Sequence, residues 1–245
     1  MHKIHMLTFN IHHGKGQDKE LNLERIATVI QSTNAQIVGL NEVDKHFSER
    51  SNFFDQAYRL ANKLNMEFAF GPAITTSKKE RDHKLQYGNA ILSTYPIVGY
   101  ENHPFDFLPR IVEDRALLEA AIQLENRTTL RVYVTHISFA PFLHKKQTEF
   151  VINKVRNRGG PAVIMGDWNM KPTTKSWDKV VKHFNDSWVI KNGNVAGGYT
   201  YPSHRPRMRL DYIFTTSDID VMHTKVIKQD EDASDHLPYM ATIQI

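Results

Sequence analysis

The 245-residue chain contains no cysteine. Disulfides and thiolate metal sites are thereby excluded, and any bound metal must be held by oxygen or imidazole ligands. No apolar run approaches the roughly 20 residues that a membrane-spanning helix needs. The opening MHKIHMLTFN has no long apolar core and passes straight into strand-like sequence, so no signal peptide and a cytoplasmic location are expected. Long linkers, low-complexity tracts and short-period repeats are also missing, which favours a single domain over residues 1–245. The histidines show neither HxxxH nor HExxH, the helical spacings of many zinc sites. A strong excess of one charge is missing too. The net charge of +4 suits an acidic or phosphorylated partner but does not by itself indicate nucleic acid.

What is present is an alternation of strand-like and helical runs, with 40% hydrophobic residues spread along the chain, enough for a sizeable core. Ile4 to Asn10 reads as a strand. Leu23, Ile26, Ala27 and Ile30 recur at helical spacing, and QIVGLNE returns to strand. A second helix is expected to carry Phe54, Ala57, Tyr58, Ala61 and Leu64 on one face. From Phe68 to His136, YGNAILST, RALLEAAIQL and TLRVYVTH suggest antiparallel strands. A helix is expected near Lys145 to Arg156, then the buried strand PAVIMGD and a helix marked by Trp177, Val180, Val181 and Phe184. RLDYIFTT, DIDVMHTKVI and PYMATIQI read as closing strands. The pattern predicts an α/β (α+β) fold: two strand–helix–strand halves with extra antiparallel strands, packed as two sheets face to face with helices outside.

Polar residues gather at the ends of the apolar strands. Asn10, Glu42, His136, Asp167 with Asn169, Asp211, and Asp235 with His236 all occupy such places. One strand-end aspartate is ordinarily a turn or cap. Six such positions, all acidic, amide or imidazole, point to a shared site. Residues two apart in extended chain face the same side, so Asp167 and Asn169 are expected to address one spot while Trp168 packs away from it. Carboxylates without thiolates suit a hard divalent ion, Mg²⁺ or Mn²⁺. Other residues keep two readings. His12 and His13 are either loop residues or ligands of metal or substrate, with His12 the better placed. Arg209, in the run HRPRMRLD, is either part of a solvated loop or a phosphate contact. Arg115 is a strand-edge arginine or a site residue, and Asn89 a turn or a site residue. KKERDHK, residues 78–84, reads as an exposed loop, and SFAPFLH as an apolar rim, core packing or a loop anchor.

TFNIHHG, VGLNEVD, YGNAILSTYPI, VTHISF, MGDWNMKP, RLDYIF and SDHLPY resemble, in order, the motifs of the endonuclease/exonuclease/phosphatase superfamily, over nearly the whole chain. The resemblance implies a four-layer α/β/β/α sandwich of the DNase I-like kind and divalent-metal-dependent hydrolysis of phosphate esters. It implies that Glu42 is the principal metal ligand with Asn10 beside it, and that Asp235 is a second acidic residue of the metal region. Asp167 matches the residue that activates water, and Asn169 the one that orients it or contacts phosphate. His236, hydrogen-bonded to Asp211, matches the imidazole on the phosphate oxygens. His136 falls near the phosphate and leaving group, with Arg115, Asn89, His12 and Arg209 as candidate phosphate or substrate contacts. The chain departs from abasic-site nucleases in having His12 where they often have an acid, LNE for LQE, and no asparagine after VTHISF. These differences bring it closer to sphingomyelinase-like, DNase I-like and small phosphatase-like members. The expected activity is therefore that of a phosphodiesterase with a phosphate-ester substrate, acting as a monomer without a stable protein partner. A DNA or RNA nuclease is the alternative, followed by a phosphomonoesterase or an inactive binding module.

Overall fold

Alternation along the first strand already assigns its two faces. Ile4 and Met6 enter one apolar cluster, while Leu7 and Phe9, at the opposite parity, enter another. Such a strand is covered on both faces, and the fold is built around two sheets of that kind. The computed structural model describes residues 3–77, 82–106, 114–125 and 127–245. Residues 78–81 of the KKERDHK run lie outside them.

The first sheet has the order β11 (Asp220–Val226), β12 (Tyr239–Gln244), β1 (Lys3–Asn10), β2 (Ile37–Lys45), β4 (Leu85–Ser93), β3 (Glu67–Thr76). The second has the order β5 (Ile97–Pro104), β6 (Ala116–Gln123), β7 (Thr129–His136), β8 (Ala162–Asp167), β10 (Asp211–Thr215), β9 (Asn185–Asp186). Each is mixed, with one parallel pair: β1 with β2 across α1 (Leu23–Ser32), and β7 with β8 across α3 (Pro141–Arg158). All other pairings are antiparallel. The two expected strand–helix–strand halves are these two crossovers.

Three apolar layers separate the four structural ones. Between the sheets lie Ile37, Ile91, Leu118, Val132, Val134, Met165 and Ile213. Outside the first sheet, Leu7, Phe9, Val38 and Leu40 meet Ile26, Val29 and Ile30 of α1, and Ala57 and Leu60 of α2 (Gln56–Leu64). Outside the second, Tyr133, Ile164 and Phe214 meet Val151 and Val155 of α3, and Trp177 and Val180 of α4 (Lys175–Val181). A short α5 (Ser187–Asn192) follows β9. Asn22, Asp55, Thr174 and Asp186 cap α1, α2, α4 and α5 through side chains that accept first-turn N–H groups.

Several elements differ from the sequence expectations. Tyr58 does not share the buried face of α2 and is 56% exposed, because Gln56 occupies the interior in its place. α3 begins at Pro141, a favoured first-turn residue, rather than near Lys145. Between Phe68 and His136 there are two further strands. β5 is an edge strand whose residues are mostly exposed, so it carries no apolar alternation, and β3 closes the opposite edge of the first sheet. β2 does not end at Glu42 but continues to Lys45 through a register shift between Leu40 and Val43.

Candidate active site

Inter-sheet parity explains how the polar residues meet. On β1 the row Ile4, Met6, Thr8 ends in Asn10, and on β2 the row Ile37, Gly39 ends in Asn41. In the second sheet Leu130, Val132, Val134 lead to His136, and Val163, Met165 lead to Asp167. The registers set Asn10 beside Asn41, His136 beside Asp167, and Asp167 beside Asp211. Two apolar rows from each sheet thus end in polar groups at the same end of the sandwich.

Glu42 reaches this place by a different route. Simple alternation would put it on the helix side with Val38 and Leu40. The bulge around it, with φ of 58° at Glu42, breaks that parity. Its Oε1 accepts a hydrogen bond from Asn10 Nδ2 at 3.0 Å, and the same amide nitrogen donates to Asp167 Oδ2 at 3.2 Å. Asn10 therefore links the glutamate to the aspartate. Positive φ recurs at His12, His13 and Asn169 (44°, 46° and 45°). Such backbone is uncommon for residues other than glycine and gathers where function constrains the chain.

Asp167 is buried at the centre. Its Oδ1 accepts the Asn169 backbone N–H at 3.0 Å. That turn, rather than extended alternation, brings Asn169 back to it, since β8 ends at Asp167. Trp168 is fully buried and packs edge-on against Phe214. Gly166 is required by a close approach: a Cβ there would lie 1.9 Å from the carbonyl oxygen of Thr135 on β7. The other oxygen of Asp167, Oδ2, which also accepts from Asn10, lies 3.4 Å from His136 Nε2 and 3.8 Å from His236 Nε2. His236 Nδ1 donates to Asp211 Oδ2 at 2.8 Å.

The two histidines have opposite charge preferences. Burial disfavours the His236 imidazolium, but the carboxylates of Asp211, Asp167 and Asp235 outweigh it, and its pKa is raised to about 10. His136 is held well below the ordinary histidine value, by burial first and then by Arg115 and His236. Arg115 Nη1 sits 2.7 Å from His136 Nδ1. A guanidinium only donates, so Nδ1 accepts and the ring proton resides on Nε2, facing Asp167 Oδ2. The Asn169 amide nitrogen is 3.1 Å from that Nε2 and donates to the Ile137 carbonyl at 2.9 Å. Burial and the Asp211 charge push Asp167 up, against the pull of His236, to about 7.

His12, His13 and Glu42, whose donor atoms lie within 4.8 Å of one another, form a group that could hold a cation. His13 Nδ1 is buried without a hydrogen-bond partner, 3.9 Å from Glu42 Oε2. Burial, then Arg50, His12 and Lys15, depress the His13 pKa to about 3, so the ring is neutral and its lone pair free. A carboxylate and a neutral imidazole beside an amide suit a divalent cation. His12 also donates its backbone N–H to Asn10 Oδ1 at 3.1 Å.

The chain belongs to the endonuclease/exonuclease/phosphatase family. The family model matches residues 7–236, and its members are hydrolases of phosphate ester bonds, typically dependent on a divalent metal. An uncharacterized Escherichia coli protein, YbhP, is 26% identical over 252 residues, covering 98% of this chain and 96% of its own. An endonuclease/exonuclease/phosphatase protein from Beutenbergia cavernae superimposes with a TM-score of 0.81 at 24% identity, over 100% of this chain and 72% of that one. The Bacteroides thetaiotaomicron mannosyl-6-phosphatase Bt3783 does so at 0.78 and 17%, over 99% of this chain and 100% of its own. These likenesses show the DNase I-like fold.

Not every residue singled out in this family member lies in the cluster. Asp235 is half-buried next to His236, whose charge it helps to hold, and lies 3.3 Å from the Ser234 Oγ. Asn89 is buried, receiving the Asn41 amide at 2.8 Å and donating to the Ala116 carbonyl at 3.0 Å, so it ties strands together. Arg209, a candidate phosphate contact, is instead buried in an ion pair at 3.1 and 3.2 Å with Asp186, which lies opposite Phe214, three positions along β10 from Asp211. Arg205 and Arg207 of the same run are exposed.

Three contributors were not anticipated. Asn41 donates to the Thr135 carbonyl at 3.0 Å and accepts the Asp167 backbone N–H at 2.9 Å, bridging the sheets beneath the site. Its signal was an amide within an apolar strand. Ser234 Oγ donates to the Asn10 carbonyl at 2.7 Å, docking the SDH segment on β1. The Tyr201 ring lies 4.8 Å from that of His236, and no sequence pattern marked it.

Proposed function

We propose that the protein is a divalent-metal-dependent phosphodiesterase that uses an Asp167-activated water. One observation carries the reading: Asp167 Oδ2 faces Asn10, His136 Nε2 and His236 Nε2 at 3.2, 3.4 and 3.8 Å, where the polar ends of the two sheets meet. In this reading Asp167 Oδ2 takes a proton from water as its oxygen forms the new bond to phosphorus and the ester P–O bond breaks. His236, kept cationic by Asp211, donates from Nε2 to the phosphoryl oxygens, where negative charge grows. Asn169 holds the water or a phosphoryl oxygen. The Nε2–H of His136, oriented by Arg115, faces the phosphate and the departing oxygen. Glu42, with Asn10 and the His12–His13 pair, would hold Mg²⁺ or Mn²⁺, which supplies Lewis acidity and counter-charge. The imidazoles favour Mn²⁺ over Mg²⁺ in that donor set. We read residues 1–245 as one domain acting as a monomer.

Asp167→Asn and His236→Ala are expected to lower turnover of bis(p-nitrophenyl) phosphate by roughly 10²- to 10⁴-fold, the usual scale for losing such groups. Purified, folded variants with near wild-type rates would overturn the assignment. Comparison with p-nitrophenyl phosphate and plasmid DNA separates the diesterase from phosphatase and nuclease readings.

A further inference from the structure

A cavity of about 670 Å³ opens beside Asn169, lined by Phe139, Pro141 and Lys145 from one segment and by Met170, Lys171, Thr174, Lys175, Ser176 and Lys179 from another. Four lysines line it (Lys145, Lys171, Lys175 and Lys179), and no acidic residue does. Lys179 is ion-paired with Glu149. Lys145, Lys171 and Lys175 are exposed and make no ion pair among the described residues. Among its lining residues Phe139 is 74% exposed. The ammonium groups of Lys145, Lys171 and Lys175 around one cavity repel one another, offset in part where Glu149 acts on Lys145, a cost that an anion would remove.

Asn169 joins this cavity to the catalytic cluster, since it lines the one and touches Asp167 and His136 in the other. We propose that the pocket receives a second phosphate of a small substrate, held by Lys145, Lys171 and Lys175 while the scissile phosphate lies at Asp167 and His236. This rests on the phosphoesterase reading and names the substrate class: small esters with two phosphates, the outer one next to an apolar or ring-bearing group that meets Phe139. The volume suits such a ligand, as small-molecule pockets run from about 300 to 1,000 Å³. A nucleic-acid strand needs a positive groove that continues along its backbone. Here Lys145, Lys171 and Lys175 surround one pocket, and Lys179 beside them is paired with Glu149.

The test is calorimetric binding to metal-free wild-type protein and to the K145Q/K171Q/K175Q variant, so that turnover plays no part. The probes are adenosine 5′-monophosphate, adenosine 3′,5′-bisphosphate and oligothymidylates of increasing length. The bisphosphate is expected to bind wild type about tenfold tighter than the monophosphate at low salt, and that advantage to vanish in the triple variant. Equal binding of the two, or an advantage that survives the triple substitution, overturns the pocket while leaving the Asp167 and His236 tests of catalysis untouched. Affinity that rises with oligothymidylate length and falls in the triple variant would assign the lysines to a nucleic-acid strand and overturn the small-ligand proposal. Conversely, inactive wild-type protein that still prefers the bisphosphate would sink the hydrolase reading and keep the pocket.

Discussion

Arg209 and Asp167 show how differently two buried charges of one chain are used. Arg209 is stacked near the Tyr212 ring and forked onto Asp186, which also caps α5 and accepts the Trp177 indole N–H at 2.8 Å. Removing the guanidinium strands a buried carboxylate among residues that cannot move to solvate it. Arg209→Ala is expected to cost about 3–5 kcal/mol of stability and to leave KM for a phosphodiester within about twofold, measured by denaturant unfolding and steady-state kinetics. A raised KM without loss of stability would return Arg209 to the phosphate. Asp167 has the opposite design. Its carboxylate is held by one backbone N–H on Oδ1, while Oδ2 is left toward three polar neighbours that leave room for a ligand. Composition does not separate these cases, because RLDYIF reads the same whether the preceding arginine points out or in.

At the scale of elements, α3 is tied to the GDWN turn by one histidine. His144 Nε2–H donates to the Trp168 carbonyl at 2.9 Å, and its Nδ1 accepts from Ser176 at 3.0 Å and from Thr148 at 3.3 Å. A neutral ring lets Nδ1 accept from both hydroxyls while Nε2–H donates to the carbonyl. Burial lowers the His144 pKa from the ordinary 6.5, although the Trp168 carbonyl opposes the shift. Below that value the unfolded chain takes up a proton that the folded one resists, so stability is lost as the pH falls below about 6.5. Unfolding midpoints measured at pH 7.5 and 5.5 should fall further for wild type than for His144→Gln, and equal losses would remove His144 from the acid response. The elements themselves were legible where apolar residues are patterned or run together. α1 followed its helical period and β8 its short apolar run, whereas the mostly exposed edge strand β5 offered neither.

For the whole molecule, cation binding at Glu42 should couple to folding, because the donors come from β1, β2 and the turn between them and β1 also meets the SDH segment. A ligand at a hundredfold its Kd adds about 2.7 kcal/mol, or roughly 5–10 °C in Tm for a chain of this length. Mn²⁺ is expected to raise the wild-type Tm on that scale and to do much less for Glu42→Gln. A wild-type Tm indifferent to Mn²⁺ and Mg²⁺ would deny Glu42 its cation. By itself the sequence determined the alternating rows and the polar residues ending those of β1, β7 and β8, since period-two burial and the cost of an unpaired buried carboxylate are local properties. Tertiary structure alone decided the rest. The bulge that turns Glu42 inward, the Asn41–Asn89 bridge, Tyr201 against His236, Arg209 on Asp186 and the lysine-lined cavity all join segments far apart in the chain. Their geometry depends on how two sheets and their helices pack, and no local pattern encodes that packing.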